Sequence, residues 1–231
     1  MNTIKGKHFF CSWSGGKDSC LALYHALQNG GIPKYLLTMF TQQGNRSRAH
    51  GLPLSVLETQ AQALSIPLVI RKASWDDYES TFLSVIRKFK KEGVDYGVFG
   101  DIDLDAHLKW VERVCSSVNI RPYEPLWKRE RRDLLNEFLQ LGFKATVIVI
   151  KQGALSPSFL GRTLDQQVII DMEKTGIDTS GEEGEYHTVV TDGPIFSSAI
   201  HLQLNDQVVR DGYCFLDVSV GRERKRKVFH E

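Results

Sequence analysis

The sequence predicts an α/β protein: a parallel sheet with helices on both faces, joined to a smaller mixed α/β second domain. Two observations carry this reading. Over the first half of the chain, short apolar runs alternate four times with segments of helical periodicity, the pattern of a parallel sheet covered on both sides. From about residue 121 the alternation gives way to two helices around one apolar strand and then to β-rich sequence. Composition agrees: 231 residues, 42% hydrophobic and 25% charged, suit one large or two modest globular domains and exclude a disordered chain.

The elements follow in order. His8–Trp13 reads as a strand, and Lys17 to Gln28 as a helix with Cys20, Leu23, Tyr24 and Leu27 at i, i+3, i+4 and i+7. Gly30, Gly31 and Pro33 stop it. Tyr35–Phe40 is the next strand, and Leu54, Leu57, Ala61 and Leu64 place an apolar stripe on a second helix. Leu68–Arg71 is a third strand, and Phe82, Val85, Ile86 and Phe89 mark a third helix that Gly93 ends. Tyr96–Phe99 and the stripe Leu104, Leu108, Val111, Val114 and Val118 complete the first half. Pro122 and Pro125 flank an expected crossover, so the domain boundary is set at residues 1–120 and 121–231. A charged helix start at Lys128–Asp133, a buried strand at Thr146–Ile150 and a helix near Leu164–Lys174 follow. Ala199–Leu204 and Gln207–Arg210 alternate across Asn205–Asp206, which reads as a hairpin turn, and Tyr213–Val220 continues the sheet.

Charge and cysteines exclude several functions. With 29 Lys+Arg against 28 Asp+Glu, the net charge of +1 provides no field for nucleic acid or an anionic membrane. The basic stretch Arg222–Lys227 is the one local exception, and Arg87–Lys91 reads as a solvated helix face. Cys11, Cys20, Cys115 and Cys214 form no CxxC pair, so a zinc ribbon, an iron–sulfur site and a disulfide scaffold are not expected. No leader-like run and no stretch of roughly 20 apolar residues appears, which predicts a cytoplasmic protein without a membrane partner. A homo-oligomer is left open.

The strongest local signal is Ser14-Gly15-Gly16-Lys17-Asp18-Ser19, between the first strand and the first helix. Loops there lie at the carboxyl edge of a parallel sheet, where open α/β proteins bind ligands. Two glycines let several N–H groups approach phosphate oxygens, and the helix N-terminus adds its positive end. Lys17 supplies a cation, Ser14 and Ser19 hydroxyl donors, and Asp18 a carboxylate for Mg²⁺. The spacing is neither a Walker A loop nor GxGxxG. The hexapeptide matches SGGxDS, the PP-loop of the ATP pyrophosphatase superfamily. That resemblance implies a HUP-type domain that splits ATP between its α and β phosphates, with the loop at the nucleotide.

A second constellation is Gly181-Glu182-Glu183-Gly184-Glu185-Tyr186-His187-Thr188, followed by Asp192-Gly193-Pro194. Three carboxylates and an imidazole among two glycines can bind ammonium, take protons from an attacking amine or orient a substrate. Glu182, Glu185 and His187 are the preferred site residues, and Glu183 reads as solvated. Asp101 follows the fourth strand at the ligand edge. Asp103 and Asp105 read as helix-capping charges, and Trp110 and Trp127 as packing residues.

With Gly100-Asp101-Ile102, the stretch His107–Glu112, and Pro125-Leu126-Trp127, these motifs resemble, in order and from residue 8 to about 220, the diphthine–ammonia ligase family. The resemblance implies that Gly100 and Asp101, and more weakly His50 and Gly51, lie near the nucleotide. It implies ATP and Mg²⁺ as cofactors, an acyl-adenylate, release of AMP and pyrophosphate, and ammonium as nitrogen donor. Lys17, Asp18, Glu182, Glu185 and His187 would then be catalytic. The implied protein substrate is diphthine on elongation factor two. The alternatives are an AMP-forming ligase on a small carboxylic acid, a tRNA thiolase and an ATP-sensing module. Unpaired cysteines and neutral charge weigh against the thiolase.

Overall fold

The computed structural model describes residues 3–44 and 46–221; the basic stretch Arg222–Lys227 lies outside them. The first sheet is fully parallel, with strands β1 (His8–Ser12), β2 (Ile32–Thr41), β3 (Leu68–Ala73), β4 (Tyr96–Val98) and β5 (Arg121–Tyr123) in the order β3-β2-β1-β4-β5. Helices α1 (Lys17–Gln28), α2 (Leu54–Leu64), α3 (Tyr78–Lys91) and α4 (Asp105–Ser116) connect them. The winding reverses between β1 and β4, and this opens a crevice beyond the carboxyl end of β1.

Alternation along β1 distributes the core. Phe10 packs with Phe82, Phe89 and Phe99 under α3 and α4. Phe9, Cys11 and Trp13 face the other way, into an interior that runs without a break into the second lobe. All four cysteines are buried and unpaired, as expected of small apolar side chains.

The second lobe is an antiparallel sheet of β6 (Lys144–Lys151), β7 (Tyr186–Asp192), β8 (Leu202–Arg210) and β9 (Tyr213–Val220), ordered β7-β6-β9-β8. It carries α5 (Arg131–Gln140) and α6 (Gln166–Glu173). Among the described residues no helix is long and apolar enough to cross a membrane.

Two expectations are corrected, and one strand is added. Asn205–Asp206 is not a turn but a bulge inside β8, where the register with β9 shifts between Leu204 and Gln207. The hairpin turns at Asp211–Gly212, whose φ values of 51° and 79° are those a tight two-residue turn demands. Pro122 lies in a fifth strand rather than a crossover; β5 is an edge strand paired only with β4, where a missing N–H is tolerated. The acidic segment leads directly into β7, a strand that was hidden behind its glycines and carboxylates.

Candidate functional site: a glycine loop clasped by the second lobe

The loop after β1 is shaped by two glycines with different tasks. Gly15 has φ +81°, and a Cβ there would meet Gln60 Oε1 at 2.7 Å and Leu52 Cδ1 at 2.8 Å. Gly16 is extended, with φ −95°, so only space excludes a side chain: a Cβ would lie 2.2 Å from His50 Cε1. Ser14 Oγ accepts from the Gly16 amide at 3.2 Å and sits 3.0 Å from Ser19 Oγ, which donates to the Gly16 carbonyl. These bonds hold the amides of the turn and of the first turn of α1 on one side, at the sheet's carboxyl edge.

The second lobe grips this loop directly. The Lys17 amide donates to Thr188 Oγ1 at 3.2 Å and the Val190 amide to the Gly15 carbonyl at 2.9 Å. His50 donates from Nδ1 to the Thr188 carbonyl at 2.7 Å, since a carbonyl can only accept. The fully buried Gln60 completes the joint. Its amide donates to the Gly15 carbonyl at 3.0 Å and the Val190 carbonyl at 2.8 Å, while its Oε1 accepts from Trp13 Nε1 at 3.0 Å.

The predicted site residues divide into two groups around this joint. Lys17 is buried, with Nζ bonded to both Asp18 oxygens at 2.8 and 2.9 Å and lying over the Tyr186 ring. Burial opposes its charge, but Asp18, Tyr186 and Glu182 together hold its pKa above the usual lysine value. Glu182 faces the same pair: burial and the Asp18 charge push its carboxyl well above the usual range, and Lys17 and Arg131 only partly offset them. Arg131 forks onto Asp103 with two bonds of 2.7 Å and reaches Asp178 at 2.8 Å. Asp178 in turn accepts from the Ser180 and Glu182 amides, which fixes the acidic loop over Lys17 and Asp18.

On the other side of β7, His187 stacks on His50 with ring centroids 4.7 Å apart. Burial lowers His50 to about 4 and His187 to about 3, so both imidazoles are neutral at pH 7. Glu185 is buried and accepts from the Glu183 amide at 3.1 Å, bracing its own loop, while Glu183 is exposed.

Two cavities open beside the loop. One, of about 360 Å³, lies over the carboxyl ends of β1 and β2 and is walled by Trp13, Ser14, Met39, Arg48, Tyr78 and His107. The other, a cleft of about 830 Å³, shares Ser47, Arg48, Ala49 and Trp75 with it and reaches Gly51, His187, Tyr213 and Phe215. Asp101 bonds the His107 ring at 2.9 Å. Gly100 lets the end of β4 pass α1, since a Cβ there would lie 2.8 Å from the Asp18 carbonyl carbon. His50 packs on the glycine loop, not in the wall of the smaller cavity. Trp110 packs against Phe82 and donates to Glu79.

Several contributors went unpredicted. Arg48, Trp75 and Tyr78 sit in loop or helix-start positions with no periodic signal. Asp103 read as a cap but serves Arg131. Gln60 did leave a trace, a polar residue on the buried face of α2 beside Leu57, Ala61 and Leu64.

Comparisons with known proteins bear on the family of the whole chain. Residues 8–122 match the family model for the diphthamide synthase N-terminal domain, and residues 130–222 the model for its C-terminal domain. The chain is 28% identical to the diphthine–ammonia ligase of Homo sapiens, over 89% of this chain and 86% of that one. It is 27% identical to that of Danio rerio, over 92% of each. A solved structure, described as a predicted tRNA methyltransferase subunit from Methanocaldococcus jannaschii, aligns with 81% of this chain and 98% of its own at a TM-score of 0.45 and 16% identity.

Proposed function

The chain belongs to the diphthamide synthase family, and from that premise we propose that it amidates diphthine on elongation factor two with ammonium, splitting ATP to AMP and pyrophosphate. The observation that carries the reading is the clasp between Ser14–Ser19 and Tyr186–Val190, which joins a phosphate-type loop to an acidic segment from the far end of the sequence. An adenylating ligase needs that juxtaposition, because the nucleotide's α-phosphate must meet an acyl group and then an amine.

In this reading residues 1–120 bind ATP, with β5 completing their sheet, and residues 121–231 bind the acyl substrate in the cytoplasm. The smaller cavity takes the nucleoside, and its volume lies within the ligand-pocket range of roughly 300–1,000 Å³. The adjoining cleft takes the carboxylate. The glycine cradle fits phosphate oxygens: the Gly16 amide now rests on Ser14 Oγ, a neutral acceptor that an anion replaces. Gly100 and Asp101 border the same edge.

Among the described residues no three His, Cys, Asp or Glu side chains are grouped to hold a metal. Asp18, once turned from Lys17, would hold a Mg²⁺ carried in with the nucleotide's phosphates, and the ion would supply charge neutralisation there. Lys17 and the loop amides add to that neutralisation. For the ammonium proton, Glu182, raised to about 7, is better matched than His187 at about 3. His187 instead orients the acyl group by hydrogen bonding, and Glu185 holds the loop. Incubation with ATP, ammonium and diphthine-bearing elongation factor two tests the reading. AMP and pyrophosphate should form and vanish with Lys17→Ala or Asp18→Ala; ADP and phosphate as products would overturn it.

A further inference from the structure

Arg48 stands where the two cavities meet and contributes to the walls of both. Its backbone is fixed, because its amide donates to the Met39 carbonyl at 3.0 Å and Ser47 bridges Phe40 at the end of β2. Its guanidinium stacks on the Trp75 ring at 4.2 Å and lies 5.8 Å from that of Tyr78. Nη2 donates to the Ala73 carbonyl, but Nε is enclosed and has no partner. The neighbouring arginines of the cleft are matched by carboxylates, Arg46 by Asp217 and Arg210 by Asp211. Among the described residues Arg48 has no such counter-ion.

A stacked, anchored guanidinium with an unmet enclosed donor, between a nucleoside-sized cavity and a substrate cleft, is built for a planar or tetrahedral anion. We infer that Arg48 binds the α-phosphate of the nucleotide and holds it at the mouth of the acyl cleft, where the carboxylate must attack. This rests on the nucleotide reading of the smaller cavity. The loop amides and Lys17 serve the phosphates that leave; Arg48 serves the one that stays with the adenosine. Trp75 and Tyr78 keep the fork at the junction instead of letting it swing into water, so a lysine, which neither stacks nor forks, is not an equivalent.

The test compares AMP with adenosine, which differ by this phosphate alone, on the full chain by equilibrium dialysis. Arg48→Ala and Arg48→Lys should each weaken AMP by about tenfold or more, the range of a lost charge-assisted pair, and leave adenosine within about twofold. Equal losses for both ligands would show that Arg48 only props the pocket wall, and would overturn the inference. Unchanged AMP binding with a raised KM for the acyl substrate would also overturn it, by assigning the residue to the carboxylate. Binding of neither ligand by the unaltered protein would instead strike the nucleotide reading on which the inference rests. Arg48 is half-exposed, and thermal unfolding of each variant confirms that the comparison is made on folded protein.

Discussion

Gly16→Ala is the most informative single perturbation of the loop. The backbone there, at φ −95° and ψ −179°, suits alanine, so any cost comes from space. The new methyl would lie 2.2 Å from His50 Cε1, 2.8 Å from its Nδ1 and 3.2 Å from the Thr188 carbonyl oxygen. Carbon atoms pack at about 3.5 Å or more, so the ring must retreat by roughly 1.3 Å. That movement breaks the buried Nδ1 bond to Thr188, worth about 1–2 kcal/mol. Overpacking adds about 1–3 kcal/mol. We expect a destabilisation of about 2–5 kcal/mol, and a loss of AMP formation because the amides shift with the ring. In a His50→Ala background the obstruction is gone, the carbonyl at 3.2 Å is the nearest neighbour, and the same substitution should cost under about 1 kcal/mol. Denaturant unfolding of the four proteins in the cycle measures this. An equal cost in both backgrounds would refute the claim that His50 clasps the loop.

Other consequences are measurable in the same way. Gln60→Leu leaves the Trp13 indole N–H buried and unpaired and cuts two bonds across the joint, so it should cost about 2–4 kcal/mol and slow AMP formation; near-wild-type stability would mean the joint is held elsewhere. His187 binds protons less well folded than unfolded, so its contribution is present above about pH 6.5 and is lost as pH falls toward 3. His187→Asn should therefore narrow its stability gap to wild type between pH 7 and pH 5, and a constant gap would contradict the burial argument. Glu182 has the opposite sign: folding favours its protonated form, so stability declines as pH rises from about 4.5 to about 7. Glu182→Gln should gain on wild type over that range, while Glu124, also raised to about 7 by burial and by the charges of Asp101 and Glu112, titrates alike in both proteins.

How much of this was legible follows from range. The α1 helix and its loop were readable because their signals are local: an apolar stripe at helical spacing behind two glycines. Neighbouring strands were readable for the same reason, through short apolar runs bounded by turns. Asn205–Asp206 misled because a polar pair between alternating residues looks the same whether it turns the chain or bulges it, and only pairing with β9 decides. The site was half legible. Lys17, Asp18 and Glu182 announced themselves by residue type, and their convergence is real in space. Their supports Arg131 and Asp178 were not legible, because they act through partners distant in sequence, whereas Gln60 showed only as a polar residue on an apolar helix face. Glu185 was named by residue type alone, and the bond its Oε2 accepts from the Glu183 amide could not be foreseen from sequence.

In the proposed function the clasped loop and acidic segment form one amide-forming site. Elongation factor two bearing diphthine, incubated with this protein, ATP and isotopically labelled ammonium, tests it most directly by mass spectrometry of the modified peptide alongside nucleotide analysis. One labelled amide is expected on the modified histidine for each AMP released, and neither product with Lys17→Ala. AMP released without label on the peptide, from an otherwise active enzyme, would contradict it.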